Sequence, residues 1–82
     1  MPVRSLYTGS LNGTESDIPA PEGDWVALHC DGDVAVSLYQ ASAYVALETV
    51  SAPGKLIYCT GPKIRLATTG AVNVRLINAN GA

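Results

Sequence analysis

The sequence predicts an all-β domain, a small antiparallel β-sandwich or barrel of about seven strands. Three observations carry that reading. Apolar and polar residues alternate with period two through most of 24–78. Turn-forming residues punctuate the chain every eight to eleven positions. No stretch of helical length repeats its apolar residues with the 3.6 period of a helix.

Residues 3–7 form a short apolar segment, either a first strand or an extended arm. Residues 9–23 hold Gly9, Gly13, Pro19, Pro21 and Gly23 among Ser, Thr, Asn and three acids. They predict a long loop, interrupted at most by a brief extended pairing at 16–18. A connection of that length in a compact domain is usually functional, so it reads as a docking segment. Asn12, Gly13 and Thr14 fit a glycosylation sequon but are read as a turn. A strand is expected at 25–30. Asp31 and Gly32 then signal a tight hairpin, with Gly32 at positive φ, leading into a strand at 34–39.

The stretch 36–55 is the clearest of all: strand, turn, strand, turn. Gln40, Ala41 and Ser42 break the run, and 44–50 resumes it. Ala52, Pro53 and Gly54 close it, with Pro fixing its own φ and Gly free to take a positive one. Further strands are expected at 55–60, 63–68 and 71–78, separated by Gly61 with Pro62 and by Thr69 with Gly70. The tail 79–82 is small and polar.

Phase assigns the inner face. Val26, Leu28 and Cys30 share a side, as do Val34, Val36 and Leu38; Val45 and Leu47; Ile64 and Leu66; and Val72, Val74 and Leu76. Lys63, Arg65, Asn73 and Arg75 fall on opposite faces, and Trp25 is out of phase with its inward neighbours. Residues 43–47 and 56–59 are apolar on both faces, so each is either central or covered by another chain.

The chain has 82 residues, no Phe and one Trp, and much of its apolar content is Ala and Val. One domain of this size buries only about 60–65% of its unfolded surface. A core so thin is compatible with burial completed against a partner. The formal net charge of −2 and the lack of a basic cluster argue against nucleic acid. The distribution is uneven: one base against seven acids in residues 1–50, a formal −6, and four bases with no acid in 51–82. Such charges either pair within the fold or meet a partner. No apolar run approaches the roughly 20 residues of a membrane helix. The N-terminal residues lack a signal-peptide core, so no membrane and no secretion are expected.

The chemistry-bearing residues are few. Cys30 and Cys59 could form a disulfide, but without a secretion signal buried free thiols are the expectation. His29 and Cys30 are strand neighbours pointing to opposite faces, which argues against a shared metal ion. Asp24, Asp31 and Asp33 could bind calcium, but they lack an EF-hand's ligand ladder and read as turn formers. A single His and no phosphate loop leave no catalytic constellation, so a non-enzyme without cofactor is expected. Trp25, Tyr39, Tyr44 and Tyr58 either pack as ordinary aromatics or line a sugar platform.

One stretch carries a resemblance. Residues 34–76 resemble small β-sandwich modules of tailed-phage virion proteins. Ser42, Tyr44, Val45, Leu47, Thr49, then Ala52, Pro53 and Gly54, then Lys63, Ile64 and Arg65, then Val72 and Val74 carry it. The same grammar is similar to that of discoidin-like carbohydrate-binding domains. The resemblance covers about half the chain and transfers no catalytic or metal residue. It implies a structural virion protein assembled in the host cytoplasm, decorating or cementing a capsid in many copies. A tail or head–tail joining component and a carbohydrate-binding module are the alternatives. The implied partners are the major capsid protein or other virion proteins, together with further copies of the chain, a trimer among the options. The residues expected at such interfaces are Ile18, Pro19, Pro21, Trp25, Tyr44, Tyr58, Lys63, Arg65 and Arg75.

Overall fold

The computed structural model describes residues 4–78. Val3 and the tail 79–82, read above as part of a first segment and as a polar end, lie outside the described residues. Within 4–78 there are eight strands: β1 Arg4–Leu11, β2 Thr14–Pro19, β3 Trp25–Cys30, β4 Val34–Gln40, β5 Ala43–Val50, β6 Gly54–Tyr58, β7 Lys63–Ala67 and β8 Val72–Asn78. They form two antiparallel four-stranded sheets. One has the order β1-β8-β3-β6 and the other β2-β7-β4-β5.

This order has a simple origin. β1 pairs with β8, β2 with β7, β3 with β6 and β4 with β5. In all four ladders the numbers of partnered residues add to between 81 and 84. The chain is therefore one long antiparallel hairpin, rolled so that alternate pairs of strands fall in opposite layers. The roll is closed by β3–β8 and β4–β7 pairing. Such a rolled hairpin is the eight-stranded jelly roll, which buries one face of each sheet and leaves only the flanks unpaired. Its tip is the β4–β5 turn, where Ala41 and Ser42 both take positive φ (50° and 67°). Positive φ at both central residues matches the twist of the flanking strands in a two-residue hairpin.

The core lies between the sheets. Val26, Leu28, Val34, Val36, Ile57, Cys59, Ile64, Leu66 and Leu76 are essentially inaccessible, with Leu11, Ile18, Leu38, Val50 and Val74 around them. Two glycines sit where this packing leaves no room. A Cβ on Gly54 would overlap the Leu28 carbonyl oxygen, and one on Gly61 the Tyr39 carbonyl oxygen. Gly54 also has a φ of 134°, as expected for the turn after Pro53. Cys30 and Cys59 are both free and buried. Burial pushes both thiols upward, Cys59 to about 11.

Several expectations are corrected. The supposed loop at 9–23 contains the end of β1 and all of β2, which brings the strands to eight. β2 is an edge strand whose only deeply buried residue is Ile18, so no apolar alternation marks it. A bulge places both Ser16 and Asp17 opposite Arg65, and Asp17 takes a φ of 59°. Asp31 and Gly32 do not close a hairpin, since β3 and β4 lie in different sheets. Gly32 is absent from the positive-φ residues and lies against Val72, whose Cγ2 is 3.1 Å from where a Cβ would stand. Asp31 instead ties the crossing to β8: its carboxylate accepts from the Asn73 backbone N–H and from Nδ2, both at 2.8 Å. Val45 and Leu47, expected inside, are 50% and 46% exposed.

Candidate interaction surface

The residues expected at an interface are dispersed by the fold. Ile18 is 4% exposed and belongs to the core, so it is withdrawn as a contact residue. Pro19 is exposed at the end of β2 opposite Lys63. Pro21 is partly buried in a segment fastened to the β6–β7 connection. There the Ala20 N–H donates to the Pro62 carbonyl at 2.9 Å, Gly23 N–H to Cys59 at 2.8 Å, and Cys59 N–H to Asp24 at 2.8 Å. Those bonds leave 20–24 a built connection rather than a free arm.

Tyr44, Lys63 and Arg65 meet on the outer face of the β2-β7-β4-β5 sheet. The Arg65 guanidinium lies 4.0 Å from the Tyr44 ring centroid, and the Lys63 ammonium 4.8 Å from that of Tyr39. The two tyrosine rings meet edge to face at 5.1 Å. The Tyr44 hydroxyl donates to Asp17 Oδ1 and accepts from the Asp17 backbone N–H, both at 2.7 Å. Lys63 stands 3.7 Å from the same carboxylate, and Arg65 Nε donates to Ser16 Oγ at 3.0 Å. The Tyr44 hydroxyl, joined by the two cations, holds the Asp17 carboxyl below its ordinary range. Burial and the neighbouring carboxylate push Tyr44 up. Six side chains from four strands thus close a self-satisfied lattice. Its cations and acid serve one another, so this face braces the sheet.

The other outer face differs. Trp25 and Tyr58 are cross-strand partners on β3 and β6, 48% and 44% exposed, with ring centroids 5.3 Å apart in an edge arrangement. Leu56, on the same face of β6 as Tyr58, is 56% exposed. Arg75 is exposed on β8 in register with Thr8 and His29, across the sandwich from Lys63 and Arg65. With His29 and Asn73 it lines an open cleft of about 390 Å³.

All five exposed large apolar side chains among the described residues lie on β3, β5 and β6: Trp25, Val45, Leu47, Leu56 and Tyr58. β5 and β6 are edge strands of the two sheets. Lys55 on β6 reaches Glu48 on β5 at 2.8 Å, tying the two edges into one flank. The salt bridge covers the Val50 end of β5. Toward the hairpin tip Val45 stays exposed although it opposes the buried Leu38. The β1/β2 flank carries no exposed large apolar residue among those described. Among the described residues, exposed large apolar side chains are thus confined to the β5/β6 side of the molecule.

Val45, Leu47 and Leu56 lie in the two stretches expected to be either central or covered by another chain, because both are apolar on two faces. Asp17 and Tyr39 had no such signal, because only register brings them to Tyr44 and Lys63. Among the described residues no three His, Cys, Asp or Glu side chains are placed to share a metal ion. Compared with known protein families, curated proteins and solved structures, the chain matches none.

Proposed function

We propose that the chain is a structural docking module that works in many copies, a small phage virion protein that decorates or cements a capsid. The observation that carries the docking reading is that the exposed large apolar side chains fall on β3, β5 and β6, with Trp25, Leu56 and Tyr58 on the outer face of one sheet and Val45 and Leu47 on the edge strand of the other. Monomeric proteins rarely leave a contiguous apolar patch of more than a few hundred Å² uncovered without a binding role. Trp and Tyr are the residue types that anchor interfaces, and a polar surround is the usual rim. A small rigid module contributes modest affinity per contact, and repetition on a symmetric surface multiplies it. The virion assignment rests on the resemblance of residues 34–76. Jelly rolls occur in viral capsid and lectin domains alike, so the fold by itself does not choose between them.

The test is quantitative mass spectrometry of purified virions from the phage whose genome encodes the chain. A fixed, high copy number relative to the major capsid protein supports the reading, and absence overturns it. Trp25→Ala with Leu56→Lys should lower that copy number while leaving the fold intact by circular dichroism. A carbohydrate-binding role is the second reading, favoured by the exposed Trp25–Tyr58 pair. The rings are inclined at 64°, so they offer a corner rather than one flat stacking platform. Retention of the isolated protein on glycan columns, lost in Trp25→Ala, is the result that would select it.

A further inference from the structure

We propose that the occupant of the β5/β6 flank is a second copy of this chain, with β5 pairing antiparallel to its own twin across a two-fold axis near Val45. This deepens the docking reading above and rests on it.

β5 is the outermost strand of its sheet, so one side of its backbone has no strand partner in the chain. An exposed, apolar edge strand is a template for another strand, and folded proteins normally block it. The other three edges are blocked. β2 carries Pro19 and a bulge at Asp17. β6 is only five residues long and begins at Gly54 and Lys55. β1 breaks register between Ser5 and Tyr7 and contains Gly9. β5 has eight residues, no Pro, no Gly and no Lys. Its one irregularity is Leu47, the extra residue where the partners of Val36 and Ser37 jump from Glu48 to Ala46. That bulge ends the straight run and leaves 43–47 as the segment free to pair.

The occupant follows from self-complementarity and charge. Residues 43–47 carry no charge; the nearest one along the strand, Glu48, is paired with Lys55 of the same chain, and beside Tyr44 the Asp17 carboxylate is paired with Lys63. Two copies can therefore approach without like charges meeting. An axis at Val45 sets Val45 against Val45 and Tyr44 against Ala46 of the twin, each pair on one face, as an isologous contact requires. Tyr44 is already fixed by Asp17 and Arg65, so little further ordering is needed. The two four-stranded sheets would become one continuous eight-stranded sheet.

The experiment uses the full chain. Sedimentation equilibrium up to millimolar concentration should show wild type moving from 8.5 kDa to twice that mass. Val45→Lys and Leu47→Lys should stay monomeric with an unchanged circular dichroism spectrum. Val45→Cys should form a disulfide-linked dimer under mild oxidation, because directly opposed strand residues have Cα atoms about 4.5–5.5 Å apart, within disulfide reach. Glu15→Cys, on the far flank, should not. A wild type that stays monomeric overturns the proposal, as does a dimer that survives both lysine substitutions or a Val45→Cys that fails to cross-link. If such a protein still populates virions through Trp25 and Leu56, the docking reading stands and only self-pairing falls. A Val45→Cys dimer of a chain absent from virions gives the converse.

Discussion

Gly54→Ala is the substitution that bears most directly on how the hairpin is rolled. Gly54 begins β6 and pairs with His29 on β3, at a φ of 134°. A Cβ there would overlap the Leu28 carbonyl oxygen, a backbone atom that cannot rotate away. Two costs add. A non-Gly residue in that backbone region costs about 1–3 kcal/mol. Moving the β6 terminus off β3 also loosens the adjoining ladder, each hydrogen bond contributing about 1 kcal/mol. The expected loss is about 2–5 kcal/mol. Against a total stability of about 4–12 kcal/mol for a chain of this length, that is a large fraction. Gly70→Ala is the control. A Cβ at Gly70 meets nothing within 4 Å, and its φ lies outside the positive region. Its effect should fall between zero and a gain of about 1 kcal/mol through a less flexible unfolded chain. Urea unfolding followed by circular dichroism measures both. Equal midpoints for the two variants, or a loss below about 1 kcal/mol for Gly54→Ala, would refute the close approach of β6 to β3.

Other outcomes follow from the same structure. Ile18→Ala should cost about 2–5 kcal/mol, the range for truncating a buried aliphatic side chain; a variant as stable as wild type would return Ile18 to a surface role. Tyr44→Phe should let the Asp17 pKa rise toward its ordinary value near 3.8, read by NMR titration. The carboxyls of Asp17 and Asp31 are both depressed in the folded state, by Tyr44 and Asn73 respectively. Their contribution is therefore full above the unfolded-state pKa and is lost as pH falls through the folded one. Acid titration should accordingly lower the melting temperature below about pH 4, less steeply in Tyr44→Phe. Native protein at pH 8 should resist alkylation at Cys30 and Cys59, and denaturation without reductant should expose two reactive thiols. A denatured chain with neither thiol alkylated would point to a disulfide instead.

The candidate flank was half legible in the sequence. Two-sided apolarity at 43–47 and 56–59 announced that each stretch was either central or covered from outside. Choosing between those required knowing that β5 and β6 lie at sheet edges, and edge position follows from the order of strands. The brace on the opposite face was not legible. Asp17 and Tyr44 are 27 residues apart, and only the β2–β7–β4–β5 order with the bulge at Ser16 and Asp17 brings them together.

By itself the sequence determined the all-β class, six of the strands to within a few residues and most inward-facing positions. All of these depend on local alternation, because successive side chains on a strand point to opposite faces. It also determined the place of the β4–β5 tip, where Gln40, Ala41 and Ser42 interrupt two alternating runs. Only the tertiary structure decided which layer each strand joined. Asp31 and Gly32 make a plausible hairpin turn, but the turn type depends on where Val34 goes, and β4 goes to the opposite sheet. β2 is a strand because β7 offers it an edge and the core accepts Ile18, while its remaining residues carry no pattern of their own. Val45 has the phase of a core residue and remains half exposed, since phase sets direction and only the facing sheet supplies cover.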